Sequence, residues 1–141
     1  MTETTATTAS TGVRTMTPYL CARGATDAIT FYGDVFGAQV QGEPWLDPTD
    51  GRIGHAELLL GDTRFYISDE YEALDVLSPQ GRGGTTVSFV VVVEDVDTVW
   101  AKALQRGATL ERDITVGNGL RSGWLRDPWG HRWNVGEIHE G

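Results

Sequence analysis

A single cysteine, Cys21, stands in 141 residues, which argues against an intrachain disulfide or a metal site built from several thiolates and is compatible with a reducing cytoplasm. Long apolar runs are missing too. The longest, Val87 to Val93, is strand-sized, whereas a membrane span requires about 20 residues. Basic residues are scarce: 11 Lys and Arg face 20 Asp and Glu, for a net charge of −9. Phosphate binding needs clustered cations, so nucleic acid is a poor partner and a neutral or cationic small molecule a better one. The first fifteen residues, Met1 to Thr15, lack both a basic leader and an apolar segment, so they read as a disordered tail before one domain over 16–141.

What is present is periodic. Met16 to Ala22 reads as a strand broken by Gly24. From Thr26 to Phe36, Ala28, Ile29, Tyr32, Val35 and Phe36 recur at helical steps, with Gly37 as a C′ residue. Ala38 to Trp45 reads as a strand and Asp47 to Gly51 as a loop. Ile53 to Leu60 and Arg64 to Ser68 form a hairpin around Gly61-Asp62, with His55, Glu57 and Leu59 on one face. The polar stretch 71–84 is a linker without a tight turn. Thr85 to Glu94 follows as a strand whose composition suggests burial on both faces. Asp95 is placed to N-cap a helix through Trp100 that ends at Gly107. Strands then run from Thr109 to Val116 and through a hairpin turned by Asp127-Pro128-Trp129-Gly130.

Each half therefore reads strand, helix, Gly-Ala, strand, hairpin, with Gly37-Ala38 answering Gly107-Ala108. The predicted fold is α+β: two βαβββ modules, about 16–70 and 85–138, forming a half-open barrel with helices outside and a cup within.

The closing stretch Arg121-x-Gly123-x-Leu125-Arg126-Asp127-Pro128-x-Gly130-His131-x-Trp133 resembles that of the vicinal-oxygen-chelate superfamily, in particular the PhnB-like branch of the glyoxalase/bleomycin-resistance proteins. Ala28-Ile29-x-Phe31-Tyr32, His55-Ala56-Glu57-Leu58 and Ile67-Ser68-Asp69-Glu70 are similar to motifs of the same branch. The resemblance implies a homodimer that completes its cups between chains. It also implies four inward metal-ligand positions, which fall here at Thr17, Ser68, Ser88 and Asn134; a slip of one would bring in Asp69. Hydroxyls and an amide are weak ligands for Zn²⁺ or Ni²⁺, so no metal cofactor is expected, although a divalent ion held elsewhere stays open.

The candidate catalytic pair is His55 and Glu57, whose i, i+2 spacing points both side chains one way. Candidate ligand contacts are Tyr19, Trp45, Ser88, Arg121, Trp124 and Asn134, with Trp133 joining the cup by alternation. Trp100, Tyr32 and Phe36 read as core, and Cys21 as a small core thiol. Two functions follow: a protein that binds or sequesters a hydrophobic or cationic compound such as an antibiotic, or a lyase, isomerase or dioxygenase-type enzyme using His55 and Glu57.

Overall fold

A computed structural model describes residues 12–140, so most of the expected N-terminal tail lies outside the described residues. The first module runs β1 (Tyr19–Cys21), α1 (Ala25–Phe36), β2 (Gln39–Leu46), β3 (Ile53–Leu60) and β4 (Thr63–Ser68). The connection that follows is not featureless: it holds a 3-10 turn, Glu72–Leu74, and a short helix α2 (Pro79–Arg82), whose Ser78 cap accepts from the Gly81 amide. The second module runs β5 (Ser88–Val92), α3 (Val96–Gln105), β6 (Thr109–Gly117), β7 (Leu120–Arg126) and β8 (Arg132–Ile138). Each module has one four-stranded mixed sheet, ordered β1-β4-β3-β2 and β5-β8-β7-β6.

The two halves correspond residue by residue. Tyr19 lies opposite Tyr66 and Cys21 opposite Ser68 in the first, as Val90 lies opposite Asn134 and Val92 opposite Gly136 in the second. The amide of Ala22 donates to the Ser68 carbonyl as that of Val93 donates to Gly136. In both, the next residue is a carboxylate turned onto the start of that module's helix. Asp69 accepts from the amides of Gly24 and Ala25, and Glu137 from the amide of Val96. Helix N-termini leave such donors unpaired, which is why an acid stands near the end of each module's last strand.

One face of each sheet is covered by its helix and the other is open. Leu20, Ala56, Leu58 and Ile67 are buried beneath α1, and Leu125, Trp133 and Val135 are buried on the covered face of the second sheet. Gly123 is required there, because a Cβ on it would come within 2.7 Å of Trp100. The helical spacing of α1 buries Phe31, Tyr32 and Val35, with Ile29 and Phe36 only partly covered. Composition misled at β5, where Val90 and Val92 are 61% and 55% exposed and only the alternate residues Phe89 and Val91 pack against the core. Asp95 caps α3 as its position predicted, accepting from the Thr98 amide.

The modules are locked together at the closing turn. Buried Asp127 accepts from the amides of Trp129 and His131 at one oxygen, and from Tyr32 and the Trp133 indole at the other. Tyr32 belongs to the first module's helix, so one carboxylate spans both halves. His131 Nε2 lies 2.9 Å from the Cys21 carbonyl, a second tie. Gly130 completes the turn at φ +94°, and a Cβ there would lie 2.9 Å from Pro79.

Candidate functional site

The open face of the first sheet gathers Tyr19 from β1, His55 from β3 and Tyr66 from β4. Their rings meet edge-on, with centroids 4.7 to 5.4 Å apart. Strand alternation brings them together: Tyr66 is the register partner of both Tyr19 and Glu57, and His55 lies two residues before Glu57. The Tyr19 hydroxyl is 2.7 Å from His55 Nδ1 and 3.1 Å from the Gly54 carbonyl. A phenol has one proton, so both contacts are satisfied together when Tyr19 donates to Gly54 and accepts from His55 Nδ1–H. That tautomer leaves a lone pair on Nε2.

The sequence pairs His55 with Glu57, but each has another partner in the structure. Glu57 is bound to Arg64 at 2.9 Å, and His55 to Tyr19. They share a face without sharing a hydrogen bond.

Beside this cluster, at the end of the sheet where Trp45 and the linker meet, lies a cavity of about 610 Å³ lined by Tyr19, Cys21, Trp45, Asp47, Ser68, Tyr71 and neighbouring apolar groups. A β-bulge in β2 sets Trp45 opposite His55, and its ring lies against Gly54, where a Cβ would come within 2.5 Å of it. Tyr71 arrives from the linker, held by an isolated bridge to Val76 and by its hydroxyl donating to Asp47. Asp47 accepts from the Thr49 hydroxyl and amide, which hold its carboxyl below the usual range. Cys21 lines the cavity as a partly buried group and not as a core thiol; burial, followed by the charges of Glu70 and Asp69, pushes its thiol up to about 11.

The other predicted contacts are dispersed. Ser88 accepts from Arg132 and lines a separate cavity of about 800 Å³ between the modules, among Phe36, Phe65, Phe89 and Trp133. Trp124 lies on the open face of the second sheet under the Arg132 guanidinium, 3.8 Å from its ring centroid. Arg126 and Arg132 both bind Glu111. Asn134 is buried, donating to the Gly123 carbonyl and the Ser122 hydroxyl. Arg121 takes the opposite face, alternating with Gly123, and forms a two-point pair with Asp97 of α3. Trp133 is 3% exposed and belongs to the core, its ring tilted against Phe36 and Phe89, so alternation turns it away from the open face of its sheet.

Register also revises one metal-ligand position. The counterpart of Asn134 is Tyr66, not Ser68. Ser68 is buried and donates to the Asp69 carbonyl, while Asp69 spends both oxygens on backbone amides, including that of Ile53. Among the described residues, no three His, Cys, Asp or Glu side chains gather into a metal-holding group. Tyr66, Tyr71 and Asp47 were missed in the sequence. Tyr66 was visible as the alternation partner of Ser68, but Tyr71 and Asp47 lie in segments whose pattern says only loop.

Comparison with known proteins agrees with the fold. Residues 14–135 match the family model described as Glyoxalase/Bleomycin resistance protein/Dioxygenase superfamily. An uncharacterized protein of Mycobacterium bovis is 32% identical over 129 residues, covering 86% of this chain and 82% of its own length. The PhnB protein of Bacillus cereus has a similar solved structure, with TM-score 0.65 at 20% identity over 89% of this chain and 100% of that one. The fosfomycin resistance protein FosX of Listeria monocytogenes also matches, with TM-score 0.65 at 13% identity over 92% and 94%. No helix among the described residues is long and apolar enough to cross a membrane.

Proposed function

Because the chain belongs to the glyoxalase/bleomycin resistance protein/dioxygenase superfamily, we propose that it binds or sequesters a small hydrophobic or cationic compound, such as an antibiotic, in the cytoplasm. The cavity lined by Tyr19, Trp45 and Tyr71 carries this reading. Its volume suits a drug-sized molecule, and ligand sites are typically apolar and aromatic with a few placed polar groups. The family's metal does not suit the residues at the corresponding positions. Thr17, Ser88, Tyr66 and Asn134 offer alcohols, a phenol and an amide, and Asn134 already donates to a backbone carbonyl. The chain is proposed to work as a homodimer, since β1 and β5 each pair on one side only and Tyr19, Trp45, Val90 and Val92 are more than half exposed.

Fluorescence titration against a small-molecule panel, with mass spectrometry of the recovered compounds, tests this. Saturable quenching that disappears in Trp45→Ala, with every compound recovered unchanged, is the expected result. No binder, or a converted compound, overturns it. Sedimentation at micromolar concentration tests the dimer, and a monomer would refute it.

One observation favours an enzyme of isomerase, lyase or dioxygenase type: the Tyr19 contact that leaves His55 Nε2 free to accept a proton. On that reading His55 is the base. Glu57 acts near it without orienting it, given the Arg64 pair. Turnover abolished by His55→Ala but retained in Glu57→Gln would favour it.

A further inference from the structure

The proposed binding role leaves the charge of the ligand open, and the cavity itself bears on it. Among the residues lining it, Asp47 alone carries a formal charge. The nearest cation, Arg52, is divided among several partners, with Asp47 the most distant of them. Its Nε binds Asp50 at 2.7 Å, its NH1 donates to the Glu70 carbonyl at 2.9 Å, and its guanidinium lies over the Tyr71 ring. It comes no nearer to Asp47 than 3.9 Å. Asp47 and Asp50 against Arg52 leave one net negative charge at this corner of the cavity. Arg23 and Arg82 are likewise committed, to Glu70 and Asp75.

Three aromatic side chains adjoin that charge. Trp45 rests on Gly54, Tyr71 donates to Asp47 Oδ2 at 3.2 Å, and Tyr19 stands on the adjoining open face. The faces of such rings are electron-rich and attract a cation, and an aromatic wall keeps water from screening it. Asp47 needs no rearrangement to take part, since Thr49 and Tyr71 already orient both its oxygens. A carboxylate ligand would meet this field with no cation to receive it, and a neutral one would leave it unused.

Resting on the binding role above, we infer that the cavity takes an organic monocation: an ammonium carried on an apolar or aryl body. The ammonium lies by Asp47 between Trp45 and Tyr71, and the body fills the space toward Cys21, Leu74 and Val76.

Three compounds with one body separate charge from shape: 4-tert-butylbenzylammonium, 4-tert-butylbenzyl alcohol and 4-tert-butylbenzoate, titrated by fluorescence at pH 7 against the full-length protein. The ammonium is expected to bind about 10-fold tighter than the alcohol, with the benzoate weakest. Asp47→Asn should reduce the preference of ammonium over alcohol to under about 2-fold. Since Asp47 also shapes its loop, Trp45→Leu is a second variant that keeps the carboxylate; it should weaken the ammonium about 10-fold. Alcohol binding as tight as the ammonium, or a benzoate preference, overturns the charge assignment and leaves the binding role standing. Failure of all three compounds to bind overturns the assignment, and failure of the wider panel overturns the binding role as well.

Discussion

Removing the Asp127 carboxylate should cost more stability than any other single polar change among the described residues. Four donors converge on it: Tyr32 at 2.5 Å, the Trp133 indole at 2.9 Å, and the amides of Trp129 and His131 at 2.9 and 3.0 Å. Tyr32 and Trp133 are 0% and 3% exposed, so their donors cannot turn to water once the acceptor is gone. A buried donor left unpaired costs about 1–3 kcal/mol. With two such donors, and the amides of Trp129 and buried His131 also losing their acceptor, Asp127→Ala is predicted to lose about 3–5 kcal/mol, a large part of the roughly 5–15 kcal/mol of an ordinary domain. Asp127→Asn is milder. Its oxygen serves one pair of donors and its NH₂ can donate to a reversed Tyr32 hydroxyl, leaving the Trp133 N–H and the turned Tyr32 proton without an acceptor, so about 2–3 kcal/mol is expected. Urea unfolding followed by both fluorescence and circular dichroism measures these values where the two transitions coincide. Tyr32→Phe in the Asn background closes a double-mutant cycle, with a coupling above about 1 kcal/mol expected for groups in contact. A loss below about 1 kcal/mol for Asp127→Ala, or additivity in the cycle, would refute the role of this carboxylate as the tie between modules.

Three further outcomes follow from the same geometry. Arg23, followed by Ser78, lowers Glu70 to about 2, so its stabilising contribution is present above about pH 4.5 and lost as pH falls toward 2. Because Arg23 is 58% exposed, the contribution is about 1 kcal/mol, and Glu70→Gln should flatten the urea midpoint between pH 6 and 3; an unchanged slope counts against it. Cys21, raised to about 11, should react with a disulfide reagent at pH 8 roughly 10-fold slower than a free thiol, and a free-thiol rate would contradict its placement. Neutral His55 should show the Nδ1–H tautomer in long-range ¹H–¹⁵N spectra, and an Nε2–H signal would remove the lone pair on which the catalytic reading depends.

The order of elements was legible because each is written in local periodicity. The Asp127 turn, the Asp95 cap and the α1 stripe depend on residues within one or two turns of chain, and all lie where the sequence put them. Faces were legible where polar and apolar residues alternate, as at His55 and Glu57. They were lost at β5, because a run of valines carries no period and one of its faces stays open. Arg121 and Trp133 fell on the wrong face for a related reason: a charge and an indole look suited to a cup, but register with Gly123 and Val135 puts both on the helix side. Partners distant in sequence were invisible. The cap of α1 arrives from Asp69, 44 residues beyond Ala25, and nothing near Gly24 announces it.

That pattern of partners bears on the choice between binder and catalyst. Apart from His55 Nε2, the polar groups proposed for the site are already engaged: Glu57 by Arg64, Arg121 by Asp97, Asn134 by Gly123, and Asp47 by Thr49 and Tyr71. A ligand that needed to capture one of them would first have to break a hydrogen bond or ion pair, and the net gain from such an exchange is small. Aromatic faces require no exchange, and Tyr19 and Trp45 are 54% and 55% exposed. Covering them removes apolar surface from water, worth about 25 cal/mol per Å² before the costs of association. Affinity in this protein is therefore proposed to come from stacked apolar area, with Asp47 selecting charge through a field that its existing hydrogen bonds leave intact.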